Sequence, residues 1–440
     1  MDNVLERCRI APSLDGGASE LFLPLTFFDM FWVELHPVQR LFFYEFPCSK
    51  THFIEKIIPK LKSSLALSLK YFPPFAGNFV YPSNTSNLPQ IQYKTGDSVS
   101  VTFAETNDDF NYFIGNQARE ADKFYKFLPQ LPPTIQFSES RLIPILAVQV
   151  TLFSGCGISV GLTNHHVVGD ASTTVNFIKA WASICKFGVD AQTLFYLPLY
   201  DRCLIKDPNG KLAQKYWNEL RRKVRATFII EEAKIKQLKN VIVQSKGYNN
   251  SSSHLSTFTV VCGYVWSCLA KSGAAIGEKD GDEYFIVAAD FRARLDPPLP
   301  PNYFGNCIGP CFAISSRAKL IGHEGFSIAA ELIGDAIYKR FFNCGEGGVL
   351  RGAEDWPTQI NSLDWSRALG TAGSPRFDVY DADFGWGKPK KFESVSIDAD
   401  GSMSICKSRD CDKDLEIGLS LPKMKMDVFA NVFSDGLDSL

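Results

Sequence analysis

Apolar and polar positions in the middle of the chain alternate in a way that predicts two adjacent strands. Residues 144–153 (PILAVQVTLF) alternate and are β-branched at their centre, which is typical of a strand. The turn-forming residues 154–157 (SGCG) follow, and residues 158–164 (ISVGLTN) return with apolar side chains on one face. The pattern therefore predicts a β-hairpin.

Helical spacing of apolar residues begins soon after this hairpin. Asp170 or Ser172 can cap the N-terminus of the helix, and Gly188 can end it. The apolar positions fall at steps of three, at Val175, Ile178, Trp181 and Ile184. The stretch 164–172 (NHHVVGDAS) thus lies where a strand gives way to a helix.

The rest of the chain mixes helical and strand periods, which indicates an α/β protein. Residues 52–72 have helical spacing, with Pro59 at a kink or turn, and residues 326–340 predict a second long helix. Residues 284–295 read as a strand.

The domain division follows from chain length and from one irregular segment. A chain of 440 residues exceeds one ordinary core, so we expect two domains of about 200 residues each. Periodicity breaks between residues 190 and 210. We predict an N-terminal domain at 1–190, a crossover at 191–215 and a C-terminal domain at 216–440.

Charge and composition exclude several classes of protein. The 46 basic and 48 acidic residues give a net charge of −2, which offers no general attraction for nucleic acid or an anionic membrane. The N-terminal stretch lacks a secretion signal and no stretch has the roughly 18 apolar residues of a membrane span, so we expect a cytoplasmic protein. We also expect a monomer. The 12 cysteines include no C-x-x-C pair, so we expect reduced thiols and no metal.

His166 and Asp170 form an H-x-x-x-D pair with two interpretations. A neutral imidazole with an ordinary pKa of about 6.5 can remove a proton from a hydroxyl at cytosolic pH. The alternative is structural, with a histidine at a strand end and an aspartate that caps a helix. A metal site is disfavoured because His165 and His166 point to opposite sides of an extended chain and no third ligand cluster is visible. We expect His165 to be a core residue.

Two other motifs are matched only in part, and a third indicates architecture. The G-x-S-x-G sequence at 157–161 would make Ser159 a nucleophile, but that motif needs a sharp strand-to-helix turn and the alternation continues past it. The DFG at 383–385 lacks the other kinase motifs. In DFGWG at 383–387, two glycines around Trp386 indicate a tight loop held by an aromatic anchor.

Arg292 and Arg294 alternate within the segment that reads as a buried strand. A buried arginine needs a partner, so one of the two is expected to meet a carboxylate such as Asp170. The other is expected to face solvent.

Together, HHVVGD at 165–170, YFGNC at 303–307 and DFGWG at 383–387 resemble the BAHD superfamily of plant acyl-CoA-dependent acyltransferases. The resemblance is to the branch that acylates sugar hydroxyls of flavonoid and other phenolic glucosides. Similarity covers almost the whole chain, in the stretches Leu23–Asp29, Leu61–Asn78, Ser256–Trp266, Ala372–Pro389 and Leu415–Leu421.

The resemblance implies a fold of two similar-sized α/β domains like chloramphenicol acetyltransferase, with a channel at their interface and a short stretch near 380–400 returning to the N-terminal domain. It implies that His166 is the general base of a transfer without an acyl-enzyme. It also implies that Asp170 pairs with Arg292, and that Asp383 and Trp386 support the structure away from the reacting centre.

For the substrates, the resemblance implies acyl-CoA as co-substrate and no permanently bound cofactor. The small-molecule acceptor would be a phenolic glucoside. Contacts to the pantetheine and phosphates of CoA are expected, by similarity, at Ser256, Thr257, Ser374 and Arg376.

Thr174 complicates the choice of acyl group. In several malonyl-specific relatives an arginine at this position binds the malonyl carboxylate, and a buried carboxylate without a cation is costly. Malonyl-CoA is the favoured donor from the overall resemblance, and hydroxycinnamoyl-CoA is the alternative. A hypothesis of another class, a non-catalytic binding protein on the same scaffold, is disfavoured by the intact His166 and Asp170.

Overall fold

The computed structural model describes residues 3–13, 20–30, 32–33, 37–82, 89–188, 195–205, 224–245, 255–343, 348–397 and 401–440. Of the predicted crossover at 191–215, residues 195–205 are described, and the remainder lies outside the described residues.

Helices and strands alternate irregularly along the chain. The α-helices within the described residues are α1 Phe27–Met30, α2 Lys50–His52, α3 Ile58–Tyr71, α4 Phe110–Ile114, α5 Ala171–Phe187, α6 Glu232–Ser245, α7 Thr257–Ala275, α8 Arg317–Ile321, α9 Gly325–Phe341, α10 Trp356–Asn361 and α11 Lys423–Asp438. None of these helices is both long and apolar enough to cross a membrane.

The described strands form three sheets. They are β1 Asn3–Ile10, β2 Leu21–Pro24, β3 Val38–Glu45, β4 Asn78–Pro82, β5 Gln90–Tyr93, β6 Val99–Thr106, β7 Arg119–Glu120, β8 Ile135–Gln136, β9 Ser140–Pro144, β10 Leu146–Phe153, β11 Gly157–Asn164, β12 Val224–Ile230, β13 Asp282–Asp290, β14 Ile308–Ser316, β15 Ala368–Ala372, β16 Lys391–Ser394, β17 Ser402–Lys407 and β18 Leu415–Leu421. The orders are β1-β6-β10-β11-β3-β16, β14-β13-β15-β17-β18-β12-β7 and β2-β5-β4-β9-β8.

The predicted hairpin lies at the centre of the six-stranded sheet. Strands β10 and β11 are antiparallel from Leu146 opposite Asn164 to Phe153 opposite Gly157, and every residue of both is buried. Helix α5 packs its apolar face onto this sheet, in one core cluster with β10 and β11. Because the hairpin is rigid and covered, its end fixes the position of the chain that follows Asn164.

The two larger sheets exchange short strands. The late strand β16 joins the six-stranded sheet beside β3, and the early strand β7 joins the seven-stranded sheet beside β12. Arg119 of β7 and Glu393 of β16 are buried and paired at 2.6 Å. This ion pair therefore connects the two sheets at the point of exchange.

Two local features differ from the expectations. Helical spacing from residue 52 is interrupted by a π-helical turn at Phe53–Ile57, and Pro59 follows at the start of α3. The strand predicted at 284–295 ends at Asp290. The Asp290 carboxylate accepts the backbone N–H of Arg292 at 3.0 Å, which turns the chain into a 3₁₀ helix at Arg292–Arg294.

Candidate active site

A short loop between β11 and α5 carries the two histidines. His165 has an extended backbone, and its Nδ1 accepts the N–H of Val167 at 3.3 Å, which starts a single 3₁₀ turn at His166–Val168. Gly169 then has a φ of 156°, and a Cβ there would lie 2.7 Å from the side chain of Thr173. The loop thus needs glycine before Asp170 can cap α5.

The imidazole of His166 is partly exposed and stacks on Trp32. The two ring centroids are 3.9 Å apart with an interplanar angle of 10°. Nδ1 is buried and has no hydrogen-bond partner among the described residues. Burial lowers the pKa of His166 to about 4, its own backbone carbonyl opposes this, and the nearby charge of Arg40 lowers it further. The ring is therefore neutral near pH 7.

Asp170 is a buried carboxylate that is bonded to Arg292 and to backbone N–H groups. Its two oxygens accept Arg292 Nη1 at 2.7 Å and Nη2 at 3.0 Å, and they also accept the N–H groups of Thr173 and Cys307. Burial by itself would lower the pKa of Arg292, but the Asp170 charge raises it above its usual value. No described contact joins Asp170 to the His166 ring.

The YFGNC loop closes over this pair from the other half of the chain. Gly305 O accepts Arg292 Nη2 at 2.8 Å, and the Gly305 N–H donates to Thr173 Oγ1 at 3.1 Å. A Cβ at Gly305 would lie 2.2 Å from Arg202 Nη1, and its φ is 141°. Glycine is therefore required where the loop meets the start of α5.

Asn306 and Asp29 form a second polar layer that the sequence did not point to as functional. Asn306 Nδ2 donates to His166 O at 2.9 Å and to Asp29 Oδ1 at 3.0 Å. Asp29 is fully buried and also accepts Arg202 Nη1 at 3.2 Å. Only the presence of Asp29 and Asn306 inside the stretches similar to the BAHD superfamily gave a signal, because their partners are far away in sequence. Trp32 gave no signal at all.

His165 and Ser159 lie away from the exposed imidazole. His165 is buried against the ring of Phe79, and burial lowers the pKa of His165 to about 4, with a smaller effect of His166. Ser159 is fully buried in the middle of β11, opposite Thr151. The sharp turn that a nucleophile elbow requires is absent there.

The DFGWG loop packs on the N-terminal half. Asp383 accepts the N–H groups of Gly385 and Gly387 at 2.8 and 2.9 Å and pairs with Lys186 at 2.6 Å. The ring of Trp386 lies 5.3 Å from Tyr44 and 5.8 Å from Phe46. The loop is held by its own backbone and by aromatic packing.

The residues expected to contact CoA lie on two segments. Ser256 is exposed and caps α7, with its Oγ accepting the N–H of Thr259, and Thr257 Oγ1 accepts Lys239 Nζ at 2.8 Å. This helix N-terminus with an adjacent lysine is chemically suited to a phosphate. Ser374 Oγ accepts the backbone N–H of Arg376, whose side chain is exposed.

Thr174 is 1% exposed, and its hydroxyl donates to Asp170 O at 3.0 Å. It leaves no donor for a carboxylate. The described residues contain no cluster of three or more histidine, cysteine, aspartate or glutamate side chains that could hold a metal.

Comparison with solved structures shows the fold, and a family model shows the class of protein. Vinorine synthase superposes with a TM-score of 0.75 at 20% sequence identity, covering 97% of this chain and 96% of that chain. The chain therefore shares the fold of that structure. The family model described as the Transferase family matches residues 3–435, so the chain belongs to this family of BAHD acyl-CoA-dependent acyltransferases. The resemblance seen in the sequence is confirmed.

Three relatives span the chain. Phenolic glucoside malonyltransferase 1 of Nicotiana tabacum is 47% identical and covers 100% of both chains. The malonyl-coenzyme:anthocyanin 5-O-glucoside-6'''-O-malonyltransferase of Salvia splendens is 44% identical, covering 98% of this chain and 94% of that one. Coumaroyl-CoA:anthocyanidin 3-O-glucoside-6''-O-coumaroyltransferase 2 of Arabidopsis thaliana is 34% identical, covering 99% and 97%.

Asp170→Asn and Arg292→Ala are each expected to reduce the free energy of unfolding by about 3–5 kcal/mol, because each leaves a buried group without its counter-charge. The double variant should lose clearly less than the sum of the two single losses. Urea unfolding measures all three. Asp290→Asn is the control, since Asp290 also contacts Arg292 but is half exposed, and it should cost below about 1 kcal/mol. Additive losses would show that Asp170 and Arg292 are not partners.

The burial of His166 predicts an unusual titration. Its imidazole should titrate with a pKa of about 4, because the charged form is desolvated beside Trp32 and Arg40. NMR of the chain with labelled imidazoles measures this, and the spectrum of His166→Gln assigns the signal among the six histidines. A midpoint at the ordinary value of about 6.5 would contradict this desolvation.

Proposed function

We propose that this chain transfers a malonyl group from malonyl-CoA to a sugar hydroxyl of a flavonoid or other phenolic glucoside, with His166 as general base. One observation carries the assignment of the base. His166 alone in the H-x-x-x-D loop has a partly exposed imidazole that is neutral near pH 7, while Asp170 is fully occupied by Arg292 and backbone. A neutral, accessible imidazole is what proton removal from a hydroxyl needs.

The proton path follows from the burial of the ring. We assign the proton of neutral His166 to the buried Nδ1, which leaves the lone pair of Nε2 for the acceptor hydroxyl. As Nε2 takes that proton, the hydroxyl oxygen attacks the thioester carbonyl carbon and forms a tetrahedral oxyanion. Collapse breaks the carbon–sulfur bond, and the imidazolium returns its proton to the CoA sulfur. The acyl group moves directly, so no acyl-enzyme forms.

Trp32 and Asn306 are the positioning residues in this scheme. The indole face of Trp32 covers one face of the imidazole, where it attracts the transient imidazolium. Asn306 holds the backbone carbonyl of His166 from the other half of the chain. Asp170 fixes the loop through Arg292 and does not relay charge.

CoA is proposed to bind with its phosphates near the N-terminus of α7, where Ser256, Thr257 and Lys239 lie, and with Ser374 and Arg376 as further contacts. The support is chemical, since a helix N-terminus and cations favour phosphate. We further propose that the enzyme acts as a cytoplasmic monomer.

The malonyl assignment is supported by the higher sequence identity of this chain to malonyltransferases than to a coumaroyltransferase. The two malonyltransferases are 47% and 44% identical to this chain, and the coumaroyltransferase is 34% identical. Hydroxycinnamoyl-CoA stays the second candidate because the Thr174 hydroxyl is already used by Asp170 O. Membership of an enzyme family leaves the non-catalytic binding hypothesis without support.

His166→Ala is expected to reduce kcat by roughly a hundred- to ten-thousandfold, because no other described side chain in the loop can accept the proton. Thermal unfolding should change little, since the ring is partly exposed. His165→Ala is the matched control, and it should lower the melting temperature while retaining turnover. Near wild-type turnover of His166→Ala would refute the assignment of the base.

Donor preference tests the malonyl assignment directly. The wild-type chain should show a higher kcat/KM for malonyl-CoA than for acetyl-CoA or coumaroyl-CoA with one glucosylated flavonol, measured from product mass. A charge-assisted contact is worth roughly 1.5–3 kcal/mol, so the advantage over acetyl-CoA should be about ten- to a hundredfold. A clear preference for coumaroyl-CoA would replace malonyl with the second candidate.

A further inference from the structure

Arg40 is a buried cation next to the histidine loop. It lies in β3 directly opposite Leu162 of β11, and Val38 lies opposite Asn164. Residues directly opposite in an antiparallel pair share a face, so Arg40 and Asn164 lie on the same side of the sheet. Arg40 Nη1 donates to Asn164 Oδ1 at 3.1 Å, two residues before His166.

Arg40 differs from the other buried arginines in lacking a carboxylate. It is 8% exposed, and no carboxylate of the described residues lies within 4.0 Å of its guanidinium. Each other arginine of comparable burial in the described chain has an ion pair with an acidic residue: Arg119 with Glu393, Arg202 with Asp29, Arg292 with Asp170, and Arg317 with Glu278 and Glu283.

The acidic residue that raises the pKa of Arg40 does not form an ion pair with it. Asp170 is close enough to raise the pKa of Arg40, but its oxygens are bonded to Arg292 and to backbone N–H groups. Burial lowers the pKa of Arg40 to about 10, and Asp170 only partly opposes this, so Arg40 is still a cation at pH 7. A buried cation with one neutral partner is costly, and an anion that enters the site removes part of that cost.

The positive charge of Arg40 also affects His166, the proposed general base. Arg40 is close enough to His166 to lower the pKa of the imidazole. An acyl group whose thioester carbonyl reaches His166 and that ends in a carboxylate can present that carboxylate to Arg40. An aromatic acyl group has no charge to offer.

We propose that Arg40 binds the free carboxylate of the acyl donor, which makes the donor a CoA monothioester of a short dicarboxylic acid. This inference rests on the proposed function. It supplies the cation that Thr174 cannot, and the cation comes from a strand outside the H-x-x-x-D loop. Arg40 is thus a specificity-determining residue for the donor.

The test compares malonyl-CoA with malonamyl-CoA, which has the same shape but ends in a neutral amide. In the wild-type chain kcat/KM should be about ten- to a hundredfold higher for malonyl-CoA, because the contact to Arg40 is charge-assisted. In Arg40→Gln this ratio should fall to near one, and Arg40→Lys should recover part of it. An unchanged ratio in Arg40→Gln would overturn the proposal.

Two controls keep the result independent of folding. Arg9→Gln changes an exposed arginine that is bonded to Ser98, so it should keep the wild-type ratio. Should Arg40→Gln fail to fold, Arg40→Met, which removes the unpaired buried charge, is measured instead. It should unfold at a temperature no lower than wild type without ligand, and it should lose the extra stabilisation by malonyl-CoA over malonamyl-CoA. Retention of that extra stabilisation would equally overturn the proposal.

The donor assignment and the role of Arg40 fail in different ways. A wild-type chain that prefers coumaroyl-CoA to malonyl-CoA refutes the donor, whatever the variants do. A wild-type chain that prefers malonyl-CoA, together with Arg40→Gln that keeps this preference, refutes only the assignment of Arg40.

Discussion

The buried ion pair between Asp170 and Arg292 is the contact on which the site depends. One carboxylate caps α5, accepts both terminal nitrogens of Arg292 and accepts the N–H of Cys307, so α5 and a segment more than a hundred residues later meet at a single group. Because both charges are buried, neither can be removed without leaving the other uncompensated. The pair therefore fixes the start of α5 and, through the YFGNC loop, the backbone of His166.

Electrostatics around the imidazole follow from this arrangement. Arg40 and Arg292 bring two cations close to Asp170. Arg292 is hydrogen-bonded to both carboxylate oxygens, whereas Arg40 is affected only by the charge of Asp170. His166 lies among these groups without a carboxylate partner, and desolvation keeps it neutral. A relay of the serine protease type would require a carboxylate on the ring, and the geometry instead favours a histidine that is positioned by its backbone and by Trp32.

The architecture around the site is interlocked between the two halves of the chain. Strand β16 and the DFGWG loop pack on the N-terminal half, and β7 joins the sheet of the C-terminal half. The buried pair of Arg119 and Glu393 connects the two exchanged strands. Such exchange restricts sliding of one sheet against the other, which is useful where a reaction needs groups from both halves to stay in register.

Local pattern determined much of this protein. The hairpin, the helix capped by Asp170 and the mixed α/β class all follow from side-chain periodicity and capping, which are properties of neighbouring residues. The three motifs together were sufficient to indicate the family, and with it the pairing of Asp170 with a distant arginine. Periodicity alone extended the strand before Arg292 too far, because the side-chain bond from Asp290 that ends it is not visible in a hydropathy pattern.

Tertiary structure decided the contacts between distant residues and the burial of groups at the site. Three features depend on strands and loops separated by more than a hundred residues. They are the stacking of Trp32 on His166, the hydrogen bonds of Asn306 to His166 and Asp29, and the contact of Arg40 with Asn164 in place of an ion pair within the described part of the chain. Burial sets the charge state of His166, and burial is a property of the packed chain. The sequence by itself therefore determined which residue types were available near the loop. Only the packing of the two halves decided which of them are neutral, which form ion pairs, and which cation has no ion pair among the described residues.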